Sequence, residues 1–372
     1  MKVVIAIDSM KGSISSITAN KIVGEVFSKY GHEITQVAIA DGGEGTVDAV
    51  VKNNNGKKIA AVVHGLYNQK ISTDFGWFET EKLAVIESAA ASGIQFLDGT
   101  QKTHPLNTSS YGTGELILAA IKQGAKTIVV GLGGTGTVDG GVGLLAALGV
   151  EFFDKQHHLL STTGGELGEI EYFSVKNLNP QLADVTFIIA SDVTSPLLGD
   201  SGAVYMFGRQ KGIQEDQLAD YEESMRHYQK VITGENLSVE GDGAAGGIGF
   251  ALRVFLKGTT YSGFNFISEQ TSLEKLIQEA DLVITGEGKM DKQSLQGKVP
   301  VGIGRLAKKR QVPVIAFVGS FSGDETLFAK EGVSVIVPII DDLTTLEQAM
   351  INAEQNLKRC AERTIRLVSL VK

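Results

Sequence analysis

Three observations predict a two-domain α/β fold. Short β-branched apolar runs alternate with helical patterns at both ends of the chain. Each run stops at a polar, Gly-rich turn, as buried parallel strands do where they deliver groups to a ligand crevice. The 372 residues exceed what one hydrophobic core usually serves, and the long middle stretch has a different pattern from the two ends.

Residues 3–7 form the first strand, followed by the turn Asp8-Ser9-Met10-Lys11-Gly12-Ser13. A helix over 16–30 places Ile22, Val23, Val26, Phe27 and Tyr30 on one face and stops at Gly31. Residues 34–39 are the second strand; the turn Asp41-Gly42-Gly43-Glu44-Gly45-Thr46 leads into a helix over 47–52. Then 58–63, 71–78 and 83–88 read as three antiparallel strands joined by short turns. A helix at 116–122, a strand at 127–130, a Gly-rich loop over 131–141 and a helix at 144–148 follow. The strand 184–190 ends in Ser191-Asp192-Val193-Thr194, 214–232 is a polar helix, and 241–247 opens another helix. The opening pattern returns with a strand at 282–285, a turn carrying Glu287, Lys289 and Asp291, and a helix over 301–309. Strands at 314–318 and 333–337 and a single helix over 343–368 complete the chain. The strands from the two ends sum to five, which predicts a flavodoxin-like parallel sheet ordered 2-1-3-4-5 over 1–56 and 280–372. Residues 57–279 are then an inserted α/β domain, and the strand ends are expected to line a hinged cleft.

Composition excludes several classes. The balance of 34 basic and 43 acidic residues, with no polybasic run, argues against a nucleic-acid partner. No run of about 18 apolar residues exists, so no membrane span is expected and a cytoplasmic location is. Cys360 is the one cysteine and reads as a buried structural thiol in an amphipathic helix. The six histidines, among them His104 and the pair His157-His158, show no metal or hydrolase pattern. Oligomeric state is not legible in the sequence.

The candidate site residues cluster at the polar turns. Asp8 and Lys11 flank the first, where a lysine can reach a phosphate or carboxylate held by helix N-terminal amides. Asp41 and Glu44 sit on the second, as substrate or metal contacts or as ordinary helix-dipole partners. Gly133, Gly134, Thr135, Gly136, Thr137 and Asp139 belong to a loop whose amides can cradle phosphates without a Walker lysine. The spacing Gly-x-Gly-x-x-Gly occurs at 131–136 and again at 241–246. With 45 glycines in 372 residues about 0.6 matches arise by composition, so the motif says little about a dinucleotide. Asp192 follows a buried strand and is placed as a general base or metal ligand, or as a turn cap. Lys211 and Arg209 lie between glycines, as phosphate contacts or as a basic turn. Glu287, Lys289 and Asp291 are candidates for Mg²⁺ or substrate, since Mg²⁺ needs only one or two carboxylates beside phosphate oxygens.

Taken together, these motifs resemble the bacterial glycerate kinase family, the type that phosphorylates the 2-hydroxyl. The resemblance is carried by 8–13, 40–46, 109–115, 131–141, 190–194, 207–212, 243–249 and 285–291 with Gln293-Ser294, from Met1 to about Ser320. It implies transfer of phosphate from ATP to D-glycerate with Mg²⁺, giving 2-phosphoglycerate and ADP, and a flavodoxin-like domain with a second α/β domain inserted. On this basis Asp192 and Lys11 are the expected catalytic residues, and Asp8, Asp41, Glu44, Glu287 and Lys289 the expected substrate contacts. Gly133, Gly134, Thr135, Gly136, Thr137, Asp139 and Lys211 are the expected nucleotide contacts, and Asp291 with Glu287 the expected metal ligands. Two positions depart from the family pattern: Val138, where an amide side chain is usual, and Arg209, where proline is common. Two other readings remain at this point: an NAD-dependent oxidoreductase of a small hydroxy acid, and a non-catalytic acid-binding sensor.

Overall fold

The computed structural model describes residues 1–97 and 105–370. In chain order the strands are β1 (Lys2–Ile7), β2 (Glu33–Gln36), β3 (Lys57–His64), β4 (Lys70–Phe78), β5 (Leu83–Glu87), β6 (Thr127–Gly131) and β7 (Glu151–Phe153). They continue with β8 (Tyr172–Ser174), β9 (Thr186–Ala190), β10 (Thr259–Tyr261), β11 (Leu282–Met290), β12 (Val314–Phe321) and β13 (Val335–Pro338). The chain divides into two compact units: Met1–Asp41, Asp48–Asn55 and Ser262–Lys372 form the first, Gly42–Val47 and Gly56–Tyr261 the second. The return to the first unit therefore comes at 262, earlier than the 280 expected. Two helices without a strong sequence signature, Gly263–Gln270 and Leu273–Gln278, pack with the Val299–Lys308 helix of the first unit, with Phe264 against Gly302.

The first unit carries a parallel five-stranded sheet in the order β13-β12-β11-β1-β2, which is 2-1-3-4-5 counted within the unit. Strand alternation splits its core in two. Val3, Ile5 and Ile7 of β1 face Val23, Phe27, Leu357, Ala361 and Ile365 of the Ser16–Ser28 and Ala353–Leu370 helices. Ala316 and Val318 of β12 face the other way, onto Met290, Val301, Phe328 and Val333. Cys360 is 1% exposed within the first of these layers, as a packed thiol should be. Two buried polar side chains of the first helix clip the strand ends together. Asn20 accepts from Ile7 N and donates to Val37 O; Ser16 donates to Ile7 O and accepts from Ile39 N.

Three expectations for this unit are corrected. β11 runs to Met290 rather than stopping at 285, so Glu287 and Lys289 lie in a strand and not on a turn. Glycine and charge are depleted in strands, but Glu287 pairs with Val318 and Lys289 with Ser320 of β12, and that ladder extends the strand. Gly286 permits it: a Cβ there would lie 2.0 Å from Phe317 O. β2 stops at Gln36, short of the expected 39. The last helix is two, Leu346–Ile351 and Ala353–Leu370, broken at Asn352.

The second unit has a mixed six-stranded sheet in the order β10-β9-β6-β5-β4-β3. The hairpins β3–β4–β5 are antiparallel as expected, and β5, β6, β9 and β10 run parallel. Its core is built on Trp77, Phe152, Tyr228 and Phe250, with the Tyr111–Gln123, Leu218–Thr233 and Ile248–Leu256 helices around the sheet. Each such side chain, fully buried, stabilises by roughly 1.5–3 kcal/mol. No described helix is long and apolar enough to cross a membrane.

Candidate functional site

In the first unit the carboxyl ends of β1, β11 and β12 open into a cavity of about 420 Å³. Its charged lining is Asp8, Asp41 and Glu287 with Lys11, Lys289 and Lys298. The sequence produces this arrangement locally. β1 ends at Ile7, and Asp8 N still donates to Gly286 O at 2.9 Å, so Asp8 leaves the sheet beside β11. A tight turn follows, with Met10 and Ile14 bridged and Gly12 at φ +78°, and Lys11 projects from it to Asp41 at 3.4 Å. Glu287 is 5% exposed and accepts a 2.6 Å bond from Ser294 Oγ. Ser294 is set by the short turn Lys292–Gln296, which Asp291 caps by accepting from Gln293 N at 2.9 Å.

The charges of this cavity are under stress. Burial, then the neighbouring Asp41 carboxylate, hold the Asp8 carboxyl well above the usual range, with Lys11 and the Ser9 N–H offsetting in part and Glu287 adding to the rise. Burial likewise pushes Glu287 up to about 7, against the Ser294 hydroxyl and Lys298, with Asp41 and Asp291 raising it further. Two buried carboxyl groups, each held up in part by a neighbouring carboxylate, suit a cation. Among the described residues no group of three or more His, Cys, Asp or Glu side chains could hold a metal by itself. Asp8 with Glu287 instead fits Mg²⁺, which binds one or two carboxylates and fills its shell with phosphate oxygens and water. Asp291 does not line the cavity; it caps its turn and pairs with Lys289 at 3.1 Å. Lys298, which is not among the residues singled out from the sequence, lines the cavity at the start of the Val299–Lys308 helix, an end that no side chain caps. Its local signal was the Gly-Lys-Val-Pro stretch, a lysine directly before a helix start with proline in the first turn.

The second unit uses its charges differently. Lys211 is 3% exposed and donates to Thr137 O at 2.9 Å and to Thr135 Oγ1 at 3.3 Å, so it braces the Gly-rich loop from beneath. Burial lowers its pKa to about 8, with Asp139 offsetting in part. Asp139 is fully buried and accepts from Ser110 N and Ser110 Oγ, both at 2.7 Å, and from Gly141 N at 3.1 Å. Thr135, Gly136 and Thr137 are buried as well; Gly133 and Gly134 are the parts of the loop that reach solvent. Val138 lies in the apolar core, so the amide it replaces falls at a core position. The two glycine fingerprints have a packing cause. A Cβ on Gly131 would lie 2.4 Å from Gly42 O and one on Gly133 2.5 Å from Gly43 Cα, while a Cβ on Gly243 would lie 2.2 Å from Pro196 O and one on Gly246 2.0 Å from Thr137 O. Asp192 is half-buried just past β9, at the carboxyl end of the parallel strands, and Glu44 is exposed between Gly43 and Gly45. Arg209 is tied to Glu215 by two bonds of 2.6 and 2.7 Å. His64, His158 and His227 pair with Glu115, Asp154 and the Ile170 carbonyl, away from these groups, and His104 lies outside the described residues.

The model of the "Glycerate kinase family" matches residues 3–369. The chain belongs to the glycerate kinase family. It is 39% identical over 370 residues to a glycerate kinase of Bacillus cereus, covering 97% of this chain and 96% of that one. It is 38% identical over 367 residues to a glycerate 2-kinase of Escherichia coli, again covering 97% and 96%. A crystal structure from Salmonella typhimurium LT2, put forward as glycerate kinase 2, superposes with a TM-score of 0.83 at 33% identity, covering 100% of this chain and 98% of that one. A family of kinases places the chain among enzymes and sets aside the oxidoreductase and sensor readings, in keeping with the packing role of its glycine fingerprints.

Proposed function

We propose that this family member transfers phosphate from ATP to the 2-hydroxyl of D-glycerate, giving 2-phosphoglycerate and ADP. The observation that carries the reading is the lining of the first unit's cavity, where three lysines and three carboxylates gather at the ends of parallel strands. Phosphoryl transfer asks a protein mainly for positioning and neutralisation of charge, and these residue types supply both.

This reading reverses the division of labour expected from the motifs. Lys211, Thr137 and Asp139 hold the Gly-rich loop in shape, which leaves that loop only the amides near Gly133 and Gly134 to offer a ligand. Lys11, Lys289 and Lys298 instead suit the donor's phosphates, helped by the uncapped helix start at Lys298. Asp8 and Glu287, with Asp41 beside them, would hold Mg²⁺. When bound, that ion neutralises charge on the phosphate oxygens. Asp192 accepts the proton of the glycerate hydroxyl, and the Gly133–Gly134 amides with Glu44 orient the acid.

The test is ADP release by the full chain with D-glycerate, ATP and Mg²⁺, with NMR of the product. Glycerate-dependent ADP release and a phosphorus coupling at C2 are expected. Coupling at C3, or turnover with other hydroxy acids but not D-glycerate, overturns the reading.

A further inference from the structure

The cavity of the first unit is lined by more than its charged groups. Met10, Ile339, Ile340, Leu346, Met350 and Ala353 line the same space, so an apolar surface and a set of lysines and carboxylates share one cavity. Its volume of about 420 Å³ lies within the roughly 300–1,000 Å³ of sites for drug-sized ligands. A three-carbon acid fills a small part of that, and has no apolar face to offer the wall.

The wall is built rather than incidental. Arg359 and Arg363 of the last helix clamp Asp341 at 2.8 and 2.9 Å, which fixes the chain directly after Ile340. Thr345 caps the Leu346–Ile351 helix by accepting from Gln348 N at 3.3 Å. Met350 lies over the Lys11 turn: its Cε sits 2.8 Å from where a Cβ on Gly12 would be, at a residue whose φ of +78° already favours glycine. The apolar wall and the phosphate-facing lysine are thus locked to one another. Leu346 is nonetheless 77% exposed and Met350 37% exposed, so aliphatic surface on two cavity-lining residues is left uncovered. The thioethers of Met10 and Met350 are soft, adaptable partners for an aromatic face.

We propose that this wall binds the purine base of the nucleotide, with Ile340, Leu346 and Met350 against its ring and the phosphates directed to Lys11, Lys289 and Lys298. The inference rests on the reading of the donor as ATP, and it makes the first unit the nucleotide-binding unit of the kinase.

The test measures binding to the full chain without turnover, by calorimetry with ADP and separately with inorganic tripolyphosphate. Leu346→Asn with Met350→Ser should raise the Kd for ADP about tenfold or more and leave that for tripolyphosphate unchanged. Leu343→Asn, at a fully exposed position that does not line the cavity, should change neither. Unchanged ADP affinity in the double variant overturns the proposal. So does an unchanged ADP Kd accompanied by a raised KM for D-glycerate, which gives the wall to the acid. Failure of the kinase reading looks different: the wild-type chain itself then binds no ADP.

Discussion

The two units surround their buried ionisable groups differently. At the strand ends of the first, Asp8 and Glu287 are buried beside another carboxylate and held above their usual range, while lysines stand at the rim. Beneath the glycine loop of the second, burial also shifts Asp139 up and Lys211 down, but their hydrogen bonds tie the loop to its neighbours. A buried charge with its bonds satisfied locally holds backbone in place. A buried charge opposed by its neighbours costs stability, and such groups cluster where a ligand relieves them. The same residue types at similar Gly-rich turns therefore do different work, and the difference lies in what surrounds them.

The largest effect expected is on rate. Asp192→Asn should lower kcat by about 10²–10⁴-fold, the range for a proton-transfer group, with little change in melting temperature. A near-wild-type kcat removes Asp192 from the proton transfer. Next comes stability in the second unit. Asp139→Ala leaves the Ser110 and Gly141 donors unsatisfied in a sealed interior and should cost about 3 kcal/mol in chemical denaturation. If it instead left stability intact and abolished ADP binding, the contrast between the units would collapse, because Asp139 would then be a ligand contact.

A third experiment sharpens the contrast through pH. The folded protein holds Glu287 up to about 7, against an ordinary 4.5. The unfolded chain therefore releases this proton at lower pH, and the group's contribution to stability is fully present below about 4.5 and lost as pH rises through about 7. Wild type should lose melting temperature across that window. Glu287→Gln should lose less and be the more stable form above pH 7, while its activity falls. An unchanged pH slope would show that Glu287 is not under strain. The smallest effect belongs to Lys289, which is exposed and already paired with Asp291. Lys289→Ala should raise the KM for ATP by about two- to fivefold at low salt, and the difference should fade as salt is added. A loss that persists at high salt would mark Lys289 as a buried contact in the bound state.

Much of the architecture was written in local pattern. The alternation of β-branched runs with helices gave the five parallel strands of the first unit and their 2-1-3-4-5 order, because period-2 and period-3.6 burial leave separate traces. The hairpins β3–β4–β5 were legible from short turns, and Asp8, Lys11 and Asp41 as cavity-lining residues from their polar turns, whereas Glu287 lines the cavity from within β11. Three things were not. The extension of β11 to Met290 depends on pairing with β12, which overrides the strand-breaking composition of Gly286, Glu287, Gly288 and Lys289. The early return to the first unit rests on the Gly263–Gln270 and Leu273–Gln278 helices packing near the Val299–Lys308 helix, a contact without sequence proximity. Lys298 entered the cavity by the same route.

Sequence by itself determined the kind of protein this is: an α/β kinase of the glycerate kinase family, with its charged candidates at Gly-rich strand ends. That much follows from short-range periodicity and from ordered motifs, which are properties of neighbours along the chain. Only the tertiary structure decided which of those side chains face a cavity and which are sealed beneath a loop. Lys11 and Lys211 look alike as letters, each followed by a glycine. One stands at the mouth of a cavity beside Asp41 and the other is closed in under Thr135 and Thr137, because burial and hydrogen bonding are set by residues far away in sequence.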